Sequence, residues 1–157
     1  MALKPLRLLA VGQLKAPHFK QAAEHYLERL RRWRALTVTL VRDGASALPA
    51  PQRNAEEGQR LLAQLAPQDV LICLDERGTA MSSPDFARFL ERLSENATRT
   101  PCFVLGGAYG LDATVREAAT HILSLGPMTL THELARVVLL EQLYRAECIL
   151  RKVPYHH

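Results

Sequence analysis

The sequence predicts an α/β fold built on a largely parallel sheet. Three observations carry this. Short apolar runs alternate with stretches of helical spacing along the whole chain. There are five of each. The runs are apolar almost throughout, as strands covered on both faces must be. With 157 residues the chain makes one domain, and no internal repeat or linker interrupts it.

Taken in order, Leu6–Val11 reads as a buried strand ended by Gly12. Residues 18–33 place Phe19, Ala22, Ala23, Tyr26, Leu27, Leu30 and Trp33 on one helical face. Leu36–Val41 alternates threonine with apolar residues, a second strand. Residues 45–53 hold Ser46, Pro49 and Pro51 and read as a loop. Asn54 followed by Glu57 predicts a capped helix to about Leu65, stopped by Pro67.

Val70–Leu74 is a third strand, running into Asp75, Glu76, Arg77 and Gly78. Ser83-Pro84-Asp85 supplies a cap, a first-turn proline and an acid at the positive end of a helix reaching about Asn96. Cys102–Leu105 is a fourth strand, entering the loop Gly106-Gly107-Ala108-Tyr109-Gly110. Asp112 caps a short helix to about Thr120, and Ile122–Leu125 is a fifth strand. The loop Gly126-Pro127-Met128-Thr129 then leads to a long helix from about Thr131 to Ile149.

Composition removes several function classes. Hydrophobic residues make up 48% and charged residues 23%, which excludes a disordered or collagenous chain. No apolar run nears the ~20 residues of a membrane span, and the N-terminal run is too short for a signal core. A cytoplasmic protein without a membrane partner is expected. Cys73, Cys102 and Cys148 form no CxxC pair, and core packing is their expected role.

Net charge is +4, unevenly spread. Residues 1–44 hold nine basic and three acidic residues, for +6, and the rest sums to −2. Arg29, Arg31, Arg32 and Arg34 form one cluster; Arg145, Arg151 and Lys152, with His156 and His157, form another. Such clusters suit phosphates, although solvated helix faces account for them equally well.

In parallel sheets ligands bind beyond the carboxyl ends of strands. The places to look are therefore Leu74–Gly78, Gly106–Gly110 and Leu125–Thr131. The glycine loop matches neither GxGxxG nor a P-loop. Asp75 and Glu76 are suited to a ribose or an amine, or simply to a turn. The Gly126–Leu130 loop can offer backbone groups to a planar heterocycle. The last helix is apolar around most of its girth, which implies either a homodimer interface or burial in one large core. His132 with Arg136, and Glu141 with Arg145, are i,i+4 neighbours. In the tail, Tyr155 offers a stacking surface and His156 proton transfer; a frayed end is the plain alternative. No HExxH, nucleophile elbow or zinc-ligand spacing occurs, which points away from metal and covalent hydrolases.

Taken as an ordered set, these motifs are specific. Leu8-Leu9-Ala10-Val11-Gly12, Leu74-Asp75-x-x-Gly78, Gly106-Gly107-x-x-Gly110-Leu111, Met128-Thr129-Leu130-Thr131-His132, Arg136-Val137, Glu141-Gln142-Leu143-Tyr144-Arg145-Ala146 and Tyr155-His156 occur at one spacing over the whole chain. The chain resembles the bacterial ribosomal RNA large subunit methyltransferase H family of the SPOUT superfamily. The resemblance implies a single α/β domain over residues 1–157. Its sheet has five mostly parallel strands with helices on both faces, and a C-terminal trefoil knot spans about residues 100–157. It implies a homodimer that uses S-adenosylmethionine, without a metal, to methylate N3 of a pseudouridine in 23S rRNA on the assembled ribosome.

Carried over by motif, the donor pocket would include Leu74, Gly106, Leu125, Gly126, Pro127, Met128, Thr129 and Leu130. Arg145, Tyr155 and His156 would act in catalysis, with His132 and Arg136 binding substrate. Thr131 stands where many relatives carry proline, and His157 replaces the usual charged end. The readings set against this one are a non-catalytic RNA- or nucleotide-binding module and a methyltransferase with another RNA acceptor.

Overall fold

The computed structural model describes residues 4–157. Its elements run β1 (Leu6–Val11), α1 (Pro17–Arg31), β2 (Leu36–Val41), α2 (Ala50–Leu62), β3 (Asp69–Ala80), α3 (Ser83–Glu95), β4 (Thr100–Leu105), α4 (Ala113–Ala118), β5 (His121–Ser124) and α5 (His132–Leu150). The five strands form one sheet in the order β2-β1-β4-β3-β5, and every pairing is parallel.

Period-two alternation sorts the strand side chains between two cores. Leu6, Leu8, Ala10, Ile72, Phe103 and Leu105 face α1, α3 and α5. Leu9, Val11, Leu71, Cys73, Cys102 and Val104 face the layer of α2 and α4. Both faces are thus covered, which is why the strands read as unbroken apolar runs. Burial pushes the Cys73 and Cys102 thiols up to about 12, so both behave as small apolar side chains.

Helix α5 packs against α1 on one side and α3 on the other. Leu139, Leu140, Leu143 and Ala146 lie in that core. Its wide apolar girth is therefore largely satisfied inside one protomer. Thr131 caps α5 by accepting the Leu134 amide at 3.3 Å. Glu133 receives the Lys15 and Ala16 amides, tying the start of α5 to the entry of α1.

Three local expectations are corrected. Helix α2 begins at Ala50, because Pro51 falls in its first turn, where a missing N–H costs nothing. Asn54 is therefore inside the helix and caps nothing. Glu57 is no capping-box partner either: its buried carboxylate accepts the Gly44 amide at 3.0 Å. For α3 the cap is Ser82, which accepts the Asp85 amide, one residue before the expected Ser83. Finally, β3 runs on to Ala80, with a register shift between Leu74 and Thr79. The bulge throws residues 75–78 out of the ladder and toward the rim of the sheet.

Candidate functional site

At the carboxyl ends of β3, β4 and β5 lies a hollow of about 470 Å³. That is within the size range of small-molecule sites. Its walls are Leu74–Arg77 from the β3 bulge, Leu105–Leu111 after β4, and Leu125, Gly126 and Met128–Leu130 after β5. His132 and Ala135 from the start of α5, and Arg116 from α4, complete it. The structure thus gathers Leu74, Gly106, Leu125, Gly126, Met128, Thr129, Leu130 and His132 around one space. Pro127 does not line it.

Local chemistry holds these turns together. A Cβ on Gly106 would fall 2.4 Å from the Gly110 carbonyl oxygen, so only glycine allows the loop to fold back so tightly. Gly126 has φ +133°, which side chains rarely adopt. Its amide donates to the Ser124 hydroxyl at 3.0 Å. Thr129 Oγ1 donates to Glu76 Oε2 at 2.5 Å, joining the β3 turn to the β5 turn across the hollow. From outside, α2 buttresses the glycine loop. Asn54 donates to the Tyr109 carbonyl at 3.0 Å, and the Arg53 guanidinium lies over the Tyr109 ring at 5.6 Å.

Charges of both signs meet on the wall of the hollow: Asp75 and Glu76 stand beside Arg77 and Arg116. Asp75 accepts the Arg77 backbone amide at 2.9 Å and both Nε and Nη2 of its side chain at 3.1 Å. These hydrogen bonds outweigh desolvation and hold the Asp75 carboxyl below the usual range. Arg116 stands 3.7 Å away. Nothing in the sequence marks Arg77, Arg116 or Tyr109 as a ligand residue. Only the fold brings α4 and the β3 bulge together.

Arg136 serves elsewhere. It is buried, and its Nη2 donates to the Val11 and Gly12 carbonyls at 3.0 and 2.8 Å. It pins α5 to the end of β1 and does not line the hollow.

A second cluster gathers at the other end of α5. The chain reverses at Lys152, with φ 57°, while the Val153 amide bonds back to the Cys148 carbonyl at 2.9 Å. This returns the tail along the helix. Tyr155 Oη donates to Glu141 Oε1 at 3.0 Å. The same oxygen accepts Arg145 Nε at 3.0 Å and Nη2 at 2.7 Å. Arg145 Nη1 lies 3.1 Å from His156 Nδ1, and its guanidinium sits over the Tyr155 ring at 4.7 Å. Because a guanidinium only donates, Nδ1 is the accepting nitrogen here. Arg145, Tyr155 and His156 are therefore one assembly, with Glu141 at its centre.

The geometry defines a parallel α/β protein with a nucleotide-sized hollow at its strand ends and an Arg–Tyr–His–Glu cluster shared by its last helix and the returning tail. The chain belongs to the SPOUT methyltransferases: residues 5–156 match the family described as predicted SPOUT methyltransferase. Among its relatives, the protein called ribosomal RNA large subunit methyltransferase H of Nitratidesulfovibrio vulgaris (strain Miyazaki F) is 64% identical over 99% of this chain and 100% of its own length. The protein of that name from Desulfovibrio desulfuricans is 62% identical, with both chains covered in full. Among solved structures, a probable methyltransferase of Bordetella pertussis superposes with TM-score 0.55 at 17% identity, covering 91% of this chain and 94% of its own. A probable methylase family protein of Haemophilus influenzae gives TM-score 0.55 at 13% identity, over 97% and 70%. These two likenesses concern the fold alone.

Proposed function

We propose that this chain is a cytoplasmic, S-adenosylmethionine-dependent methyltransferase of 23S rRNA that modifies N3 of a pseudouridine on the assembled ribosome. The observation that carries the reading is the hollow formed by the three strand-end turns, in a chain so similar over its full length to proteins named for rRNA methylation.

The hollow suits the donor. Leu74, Leu105, Leu125 and Leu130 offer apolar walls for an adenine, and the turns offer backbone groups. Asp75 and Glu76 present carboxylates to ribose hydroxyls or to a cationic ligand. S-adenosylmethionine supplies an activated methyl on a sulfonium, and transfer to a ring nitrogen needs no metal. The protein's part is to align acceptor and donor and to receive a proton. Arg145, already cationic and rigid, is placed to stabilise negative charge developing on the uracil ring. His156 is the candidate proton acceptor, with Tyr155 packing against the base.

Within one protomer the two halves stand too far apart. His132 lines the hollow, and Arg145 lies thirteen residues further along the same helix, about 20 Å at 1.5 Å per residue. Methyl transfer needs contact. We therefore place the complete site across a homodimer, the tail of one subunit closing the hollow of its mate. In this reading residues of about 100–157 carry the trefoil knot, which makes the donor turns rigid.

The test is calorimetry with S-adenosylmethionine, followed by mass spectrometry of rRNA from ribosomes of a strain lacking the protein, before and after incubation with protein and donor. A new methyl on one pseudouridine is the expected result. Donor binding without methyl transfer would leave a nucleotide-binding module; methyl on another nucleotide would change the acceptor.

A further inference from the structure

The two basic clusters that are far apart in sequence become one surface. Trp33, in the turn that follows α1, stacks on Tyr144 of α5 with centroids 5.6 Å apart and planes 9° from parallel. Arg151 donates to the Trp33 carbonyl at 3.0 Å and lies over the Trp33 ring at 5.4 Å. Arg29 lies over the Tyr144 ring at 5.9 Å, and Tyr144 in turn meets Tyr155 edge-on at 4.8 Å. The surface therefore adjoins the Arg145–Tyr155–His156 cluster without a break.

Its charges divide by job. Arg31 donates to the Leu36 carbonyl, and Arg34 is buried against Glu147. Both are structural. Arg29, Arg32 and Lys152 are exposed, and among the described residues their side chains have no hydrogen-bond or ion-pair partner. Glu28 is the acid beside them on α1; Glu147 is buried and already neutralised by Arg34 and Arg151. Unpaired exposed cations beside a reactive cluster are what a polyanion requires.

We infer that Arg29, Arg32 and Lys152, with the remaining donors of Arg151, form the docking face for the phosphate backbone on either side of the target nucleotide. This rests on the tail cluster being the acceptor side, as proposed above. The face reads charge and spacing, not base identity, so it sets affinity for the particle and leaves chemistry to Arg145, Tyr155 and His156.

The experiment uses the full-length protein and unmethylated large ribosomal subunits. Binding is measured over a series of salt concentrations for the wild type, for Arg32→Gln with Lys152→Gln, and for the triple variant that adds Arg29→Gln. All three side chains are exposed, and unchanged melting temperatures would show that folding is intact. The double variant should bind about tenfold more weakly at moderate salt, and its salt slope should fall by about one for each phosphate that is no longer neutralised. Donor affinity and the turnover on saturating particles should hold, while KM rises. Arg32→Lys should behave as wild type, because a phosphate contact of this kind reads charge. Unchanged particle affinity and slope would overturn the proposal. So would variants that keep particle binding but lose binding to anionic phosphatidylglycerol vesicles. A wild type that binds particles with the steep slope yet transfers no methyl would leave the docking face standing and remove the reaction assigned above.

Discussion

Tyr155 Oη and Arg145 Nη2 converge on one oxygen, Glu141 Oε1, at 3.0 and 2.7 Å. One carboxylate thus fixes both the cation and the aromatic ring of the tail. Replacing Glu141 with Gln removes the charge that both donors share while keeping the side chain's shape. Turnover should fall by about 10- to 100-fold, with donor affinity unchanged, since Glu141 does not line the hollow. Single-turnover methylation beside calorimetry checks this. Equal losses in both would place Glu141 in the donor site.

The same pairing has a pH signature. Desolvation, and then the hydrogen bond to Glu141, raise the Tyr155 pKa above that of a free phenol. Tyr155 is therefore a lasting donor at neutral pH and not the proton acceptor. As pH rises past about 10, the unfolded chain releases the phenolic proton while the folded chain retains it. The stabilisation from this hydrogen bond is complete below that pH and fades as pH climbs through the raised pKa of the folded state. Ultraviolet titration should show one tyrosine ionising later than the others, and that late step should vanish in Tyr155→Phe. A late step surviving the substitution would assign it to another tyrosine.

For the proposed donor pocket, Gly106 gives the sharpest test. Its Cβ would lie 2.4 Å from the Gly110 carbonyl oxygen, and backbone cannot yield as a flexible side chain does. Gly106→Ala should open the loop and weaken donor binding by at least about tenfold, with little change in particle affinity. Gly110, which has no atom within 4 Å of its own Cβ position, is limited by its φ of +81° alone. Gly110→Asn should therefore be the milder change, since asparagine tolerates that region. Donor calorimetry on both variants settles the ranking.

Much of this architecture is legible in the sequence because buried parallel strands advertise themselves. Leu6–Val11 and Leu36–Val41 are read to the residue, since apolar runs and their punctuation coincide. Where punctuation is ambiguous the reading slips. Pro51 belongs equally to a loop or to a first helical turn, and only the packing of Glu57 under the β2–α2 connection decides. The turns around the hollow are visible as glycine-bearing strand ends. Arg77 and Arg116 are not, because their meeting at Asp75 depends on the β3 bulge, and a register shift leaves no composition signal. Arg136 shows the reverse case. Its spacing from His132 suggests a shared ligand face, yet burial turns it to the Val11 and Gly12 carbonyls. The union of the Arg29 and Arg151 clusters required the α1–α5 packing.

Stability should hinge on the same α1–α5 junction. Arg34 Nε lies 2.8 Å from Glu147 Oε1, and the two side chains are 1% and 0% exposed. Burial lowers the Arg34 pKa, an effect Glu147 opposes. The approach is close but poorly aligned for a hydrogen bond, so the pair is held by charge more than by direction. Arg34→Met strands a buried carboxylate with only Arg151 at 3.4 Å, and should cost about 3–5 kcal/mol. Replacing both, Arg34→Met with Glu147→Leu, should recover much of the loss. Denaturant unfolding of the two variants decides. If the double variant is no better than the single, the pair is worth more than the desolvation it incurs.

The composite site proposed above makes a demand that a site within one subunit does not. Take one subunit with Arg145→Ala and another with Gly106→Val. Each alone should be inactive, the first for want of a charge on the acceptor side, the second for want of a donor pocket. Refolded together, half the dimers in a random mixture are mixed, and each mixed dimer holds one intact hollow facing one intact tail. About a quarter of the wild-type sites should then work, since each mixed dimer carries one good site of two. If hollow and tail served the same subunit, no mixed dimer would hold a working pair and activity would stay at zero. Methylation of unmodified large ribosomal subunits by the separate and the mixed samples distinguishes the two arrangements. Sedimentation of the mixture shows whether the dimer exists at the assay concentration. A monomer that methylates at full rate would remove the twofold arrangement and require the tail to travel about 20 Å along its own helix.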